Sequence, residues 1–429
     1  MIVVQDKGIQ EKLVTQVKKA SQLHGQPSLA EKAALQKIEN LSLPNIRDED
    51  WRYADLDFLL QAGFDRASTL DQQEINTTAI EKIVSEFSNS NLIVFVNGVF
   101  SESMSRVTGD NIQITNDLNL KNGLSDDWEH LENPFFYYLN QSSPSSNLKI
   151  DLKGIDKEIP LLIIHLDQLS ANTDFPIFQP SISITLSANS EASIVEHYLN
   201  QNTDPHFRNG VIHINLEENS VLNYQKIQND SRQAHSLSNT FIYQAAGSQI
   251  SHGSYQLGST WSRNCTQVSY SGANTFTDLY GIAIGSETQY LDQSIKLNHT
   301  QSHADSRQLF KYVLSDKSKG VFNGKILVQE NASALNAQQD NHNLLLSESA
   351  EMNAKPQLEI SNEDVKCSHG STIGQLDENA LFYLRARGIN EKMAKSILTE
   401  AFVTQVLENL SYKVTSNYIK TIIQQKLNL

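Results

Sequence analysis

Two short stretches decide the fold: Ile182-Ser183-Ile184-Thr185-Leu186 and Val211-Ile212-His213-Ile214-Asn215-Leu216. In both, apolar residues alternate with polar ones. That is the period of a strand with one face in a core, not the 3.6-residue period of a helix. Working outward, similar short alternations separated by Gly, Asn, Ser and Asp fill residues 91–373. Leu92 to Val96 and Leu161 to Leu166 read as buried strands, and almost nothing helical lies between the strands. The middle of the chain is therefore expected to be all-β. A small or polar turn followed by an apolar strand recurs at Ser193, Ser220, Ser248 and Asn274, in steps of 27, 28 and 26 residues, with a similar turn at Ser333 roughly two steps on. Such a step fits one coil of a β-solenoid carrying more than one strand. A β-sandwich with regular spacing is the other reading of the same pattern.

The flanks read differently. Across residues 1–90, Ile9, Leu13, Val17 and Ala20 recur at helical intervals, as do Ala34, Ile38 and Leu41 before Pro44, and then Ile80, Ile83 and Phe87. Across residues 374–429, Asp377 is an N-cap candidate and Gly388 a stop. Asn390 caps a second helix with Met393, Ile397, Ala401 and Val406 or Leu407 on one face, and a third from about Thr415 carries Ile419, Ile422 and Ile423.

The net charge of −15 and the lack of clustered Lys and Arg argue against nucleic acid. No run approaches the ~20 apolar residues of a membrane span, and the start, MIVVQDKG, lacks a basic, apolar leader. A cytoplasmic address is the expectation. The two cysteines, Cys265 and Cys367, make no disulfide framework.

Lys366-Cys367-Ser368-His369-Gly370 is the sharpest local feature. On a strand, a Cys and a His two apart share a face, and thiolate and imidazole both ligate soft or borderline metals. Two ligands do not complete a site, since iron–sulfur clusters and zinc take four. The plain alternative is a packed Cys beside a hydrogen-bonded His. Cys265 reads as packing, and the pair His299 and His303 as surface or lining residues sharing a face. Gly320-Val321-Phe322-Asn323-Gly324-Lys325-Ile326 is one residue short of a phosphate loop and has Ile326 where Ser or Thr is needed. No nucleophile elbow or HExxH pair is present. Nothing commits the chain to catalysis alone.

The stretch from Gly320 to Gly388 strongly resembles the SufB/SufD family of the SUF iron–sulfur cluster assembly system. It reads GVFNGKILVQENASALNAQQDNHNLLLSESAEMNAKPQLEIS and then NEDVKCSHGSTIGQLDENALFYLRARG. Asn97-Gly98-Val99-Phe100 and Glu49-Asp50-Trp51-Arg52-Tyr53 are similar to further elements of it, so the resemblance spans most of the chain. Cys-Ser-His-Gly followed by Gly374-Gln375-Leu376 is like the SufD branch.

This resemblance implies a right-handed parallel β-helix (β-solenoid) over 91–373, between helical domains over 1–90 and 374–429. It also implies a non-catalytic scaffold in an ATPase-driven complex with a SufB-type scaffold and SufC-type ATPases, with neither nucleic acid nor membrane as partner. Isolated, such a subunit is expected to self-pair as a homodimer. Cys367 and His369 match positions at the SufB–SufD pairing interface, where a transient iron–sulfur cluster is shared and none is tightly bound by the isolated chain. Tyr383, Arg385, Arg387 and Ile389 are the candidates for contact with the SufC-type ATPase. The competing reading, a carbohydrate-active β-helix enzyme, calls for a groove of clustered Asp, Arg or Lys and a secretory signal, neither of which is visible. A hexapeptide-repeat acyltransferase calls for a six-residue recurrence, not steps near 27.

Overall fold

The computed structural model describes residues 2–23, 27–63, 75–118, 131, 133–169, 175–200, 205–408, 410 and 413–427. Helices α1 (Ile2–Leu23), α2 (Leu29–Asn40) and α3 (Thr78–Glu86) form where the apolar spacing predicts them. Ile9, Leu13 and Val17 are buried along α1, while the Ala20 side chain lies outside the described residues. Ser28 starts α2 with a capping box, its hydroxyl accepting from the Glu31 N–H while the Glu31 carboxylate accepts from the Ser28 N–H. Ile80, Ile83 and Phe87 are buried along and just past α3.

The strands follow in chain order. The first are β1 (Leu92–Val96), β2 (Val99–Phe100), β3 (Ile112–Asn116), β4 (Ser146–Leu152), β5 (Leu161–Asp167), β6 (Ile177–Phe178) and β7 (Pro180–Leu186). Then come β8 (Glu191–Asn200), β9 (His206–Leu216), β10 (Val221–Gln228), β11 (Ala234–Gln244), β12 (Gln249–Gln256), β13 (Trp261–Tyr270) and β14 (Phe276–Gly285). The last are β15 (Tyr290–His299), β16 (Asp305–Leu314), β17 (Lys319–Val328), β18 (Leu335–Leu345), β19 (Glu351–Ile360) and β20 (Val365–Gly374). Among the described residues one helix interrupts them, α4 (Phe135–Ser142), in a region whose sequence shows no helical period. Its Phe135 to Asn140 are all buried, so no polar face marks it in the sequence.

The fold is mainly β, a β-solenoid. From β8 onward consecutive strands alternate between two sheets, and each pairs in parallel with the strand one coil away: β8-β10-β12-β14-β16-β18-β20 on one side, β9-β11-β13-β15-β17-β19 on the other. Val221 faces Glu191 and Gln249, His235 faces Trp261, and Lys319 faces Glu351, so a coil takes 26 to 32 residues. The corners are stacked as well. Asn189, Asn219, Gly247, Asn274, His303 and Ala334 form one column of left-handed residues, and Ser259, Glu287 and Asp316 form another. Along the first column Asn189, Asn219 and Gly247 each donate a backbone N–H to the next corner. Ser220, Ser248 and Asn274 do mark corners, but Ser193 lies inside β8, and Asn189 is the corner residue of that coil. The first step is thus longer than the sequence suggests.

Alternate side chains face the interior, which is apolar around Leu222, Ile242, Ile250, Leu291 and Phe322. The helices cover the outside. Helix α4 packs on α2 and β9, with Asn140 and Asn209 exchanging side-chain bonds to backbone carbonyls across that contact. Within Glu49-Asp50-Trp51-Arg52-Tyr53, Trp51 is buried beside Phe136 and beneath the Arg263 guanidinium, 4.2 Å from the ring centroid. Asp50 accepts from Asn323, and Glu49 pairs with Lys355.

At the C-terminal end, α5 (Glu378–Ala386), α6 (Glu391–Leu407) and α7 (Lys413–Lys426) begin and end where capping chemistry predicts. Asp377 and Asn390 are N-caps, and Gly388 has φ +89° just past α5. The stripe expected on α6 needs correction. Met393, Ile397 and Ala401 face solvent, while Ala394, Thr399, Val403, Val406 and Leu407 are buried. Small Ala394 and Thr399 fit closely, which a hydrophobicity count overlooks. No described helix is long and apolar enough to cross a membrane.

Candidate functional site

The two ends of the solenoid differ. At the first, the antiparallel strands β2 and β3 cover the sheet edges, β2 through the Asn97-Gly98 turn with both residues at positive φ. At the other, β19 and β20 are the last strands of their sheets. Each pairs on one side only; β19 is half-buried along most of its length and β20 is largely exposed. Strand β20 carries the Cys–His pair on this open edge.

Register fixes where the pair points. Cys367 lies over Ala337, His369 over Gln339 and Ser371 over Asn341, and those three β18 residues are fully buried on the interior face. Ser371 Oγ donates to Asn341 Oδ1 at 3.2 Å, which confirms the shared face. On the opposite, outer face Thr372 Oγ1 bonds His342 Nδ1 at 2.9 Å. Cys367 and His369 therefore top the interior of the solenoid at its mouth. Cys367 is half-buried against the apolar core, near Leu358 and Val365 in the same cluster. Burial pushes its thiol up, offset in part by a backbone hydrogen bond with Ala337. His369 is exposed. No group of three or more His, Cys, Asp and Glu with metal-site geometry occurs among the described residues. What this chain offers at the mouth is two ligand types, sulfur and imidazole nitrogen, short of the four a cluster takes.

The other candidates fall elsewhere. His299 and His303 do not share a face: His299 is buried at the end of β15, bonded to Ser306 Oγ and stacked on Tyr270, whereas His303 is an exposed corner residue at φ +56°. The solenoid corner falls between them, and four-residue spacing has no meaning across it. Cys265 sits on the outward face of β13, and burial pushes its thiol up. Gly320 to Ile326 is a run of β17, no phosphate loop. Tyr383 and Arg385 on α5 and Arg387 just past it are exposed, and Ile389 in the loop before α6 is half-buried. Arg387 lies over the Tyr383 ring at 4.4 Å and Arg385 pairs with Glu391 at 3.6 Å. Phe382, which the sequence reading omits, is 73% exposed beside them. Also missed are Gln339 and Asn341; in Asn336-Ala337-Gln338-Gln339-Asp340-Asn341 polar residues at inward positions hide the strand's core face, and the alternation shows only in burial.

Comparison with known proteins places this architecture. A family profile described as "SUF system FeS cluster assembly, SufBD core domain" matches residues 169–402, which defines the class: an iron–sulfur cluster assembly protein of the SUF system. The chain belongs to the SufB/SufD family. It is 30% identical to the iron-sulfur cluster assembly protein SufD of Escherichia coli, over 92% of this chain and 91% of that protein. It is 31% identical to a SufBD family protein of Synechocystis, over 87% and 85% of the two chains. Protein ABCI7, chloroplastic, of Arabidopsis thaliana matches at 31% over 54% of this chain and half of that protein. The likeness falls on the SufD side of the family.

Proposed function

We propose that this chain is a non-catalytic, cytoplasmic scaffold for iron–sulfur cluster assembly that supplies two ligands, Cys367 and His369, to a site completed by a second chain. The observation that carries the reading is the register of β20: it sets a thiol and an imidazole side by side on the last, one-sidedly paired strand of the solenoid. An open strand edge invites pairing with another chain. A SufB-type scaffold docking there would bring the missing ligands, and in its absence a second copy would meet the same edge. The cluster is cargo, formed and passed on. Thiolate is the ligating form of cysteine, and burial raises the Cys367 thiol above its ordinary value.

The second half of the reading is the SufC-type ATPase. Phe382 and Tyr383 on α5 and Met393 and Ile397 on α6 are large apolar side chains exposed on two helices that contact each other, with Arg387 lying over the Tyr383 ring. Exposed apolar patches of this kind mark protein contacts, and the family in which the chain sits supplies the ATPase as occupant. Helix α6 is held to the solenoid by Lys311, which donates to Phe402 O and Gln405 Oε1, each at 2.7 Å. A pull on the helices would therefore reach β16, two strands from the edge.

The test is anaerobic reconstitution with SufB- and SufC-type partners, using Cys367→Ala and His369→Ala. Each variant is expected to assemble the complex yet lose most of the cluster formed. Unchanged cluster yield in both would overturn the reading.

A further inference from the structure

We propose that Gln339 is the positioning residue for His369, holding the imidazole in one neutral tautomer so that its other nitrogen is bare and turned to the incoming metal. The inference rests on the role given above to His369 and deepens it.

Gln339 is fully buried one layer beneath His369. Its side chain crosses the interior to the opposite sheet, where Gly324 makes room for it: a Cβ at Gly324 would overlap the Gln339 amide nitrogen. That amide donates downward, Nε2 to Gln308 Oε1 at 3.1 Å. The carbonyl, Gln339 Oε1, is buried with no hydrogen-bond partner. Leaving a buried acceptor unmade costs on the order of 1–3 kcal/mol, so this carbonyl calls for a partner; it sits on an inward row with buried Gln308 and beside Asn341, and Gln308 Nε2 in the coil below is buried without a partner as well. The coil above offers a donor: the next residue on the same inward row is His369, whose ring carries an N–H in its neutral form. Metal-ligating histidines characteristically donate the ring N–H that faces away from the metal to a carbonyl or carboxylate, which fixes tautomer and orientation. At the mouth Gln339 would do this from below, and closure by a docked partner would exclude the water that competes for the same bond.

The experiment is ¹⁵N NMR of the full chain labelled at histidine, at pH 8, with the His369 ring signals assigned by their loss in His369→Ala. The wild type is expected to show two well-separated ring nitrogens, one protonated and one bare. In Gln339→Met the two should converge toward the averaged values of a free imidazole, and Gln339→Glu, which keeps an acceptor, should restore the separation. Gly324→Ala gives an independent arm: it leaves Gln339 in place but displaces its amide, and it should also average the signals. In the reconstituted complex Gln339→Met should hold iron about 10-fold less tightly, the low end of what second-layer partners contribute. Averaged nitrogens in the wild type, or no change in Gln339→Met, would overturn the proposal. If the tautomer is fixed as expected but His369→Ala leaves cluster formation intact, it is the scaffold reading that fails, not the positioning.

Discussion

His213 shows how little a single residue's chemistry says until its face is known. It sits on the outward side of β9, buried beneath α4, stacked on Phe241 and edge-on to Tyr137, with both ring nitrogens lacking a hydrogen-bond partner. Burial pulls its pKa down to about 4, against about 6.5 unfolded, so the unfolded chain binds a proton between those values that the folded chain does not. Stability contributed by this group is therefore fully present above pH 6.5 and falls as the pH drops toward 4. At about 1.4 kcal/mol per unit, the loss is on the order of 3 kcal/mol. His213→Phe keeps the stacking and removes the orphaned nitrogens. We expect it to raise the urea midpoint at pH 7 and to flatten the decline between pH 6.5 and 4.5; an unchanged slope would contradict the assignment. Nearby, the interior holds charges that the sequence does not reveal as partners. Arg208 bridges Asp167 and Asp230, and Glu196 accepts from Tyr198 and Tyr224 and bonds His165. Burial alone would raise Asp167, but Arg208 and His206 outweigh it and hold its carboxyl at about 2. The Arg208–Asp167, His165–Glu196 and Tyr224–Glu196 contacts link residues a coil or more apart, so nothing in local sequence announces them.

At the scale of elements, strands were legible because alternation is local, and coil length only approximately because it depends on which turn residue is the corner. The deciding signal is backbone conformation: an Asn, Gly or other tolerant residue at positive φ once per coil. Gly247 tests this. It has φ +69°, and an added Cβ would overlap Asn219 Oδ1 in the coil below. Gly247→Ala is expected to cost more than about 1 kcal/mol in chemical denaturation. Gly210→Ala, in mid-strand with its nearest would-be neighbour at 3.8 Å, should be neutral or mildly stabilising. Equal effects at the two sites would argue against the corner column as a determinant of the fold. Helix α4 and the buried face of α6 were not legible for opposite reasons. The first is apolar on every side, and the second buries small and polar residues while presenting Met393 and Ile397 to water.

For the whole molecule, one end of the solenoid is closed by antiparallel strands and the other is left open with a thiol and an imidazole upon it. The helices that expose apolar surface follow directly after that open strand in the chain. The sequence makes the Cys–His pair visible and its strand predictable. It does not show that the pair faces the interior, because that depends on register with Ala337 and Gln339, thirty positions earlier. The account's central claim is that this polypeptide holds half of a ligand set. The most direct measurement is iron and acid-labile sulfide content, with the absorption spectrum, after anaerobic loading of the isolated chain and of the chain assembled with SufB- and SufC-type partners. The account predicts no stable cluster on the isolated chain and a cluster on the assembly that depends on Cys367. A complete, stable cluster on the isolated wild-type chain would contradict it.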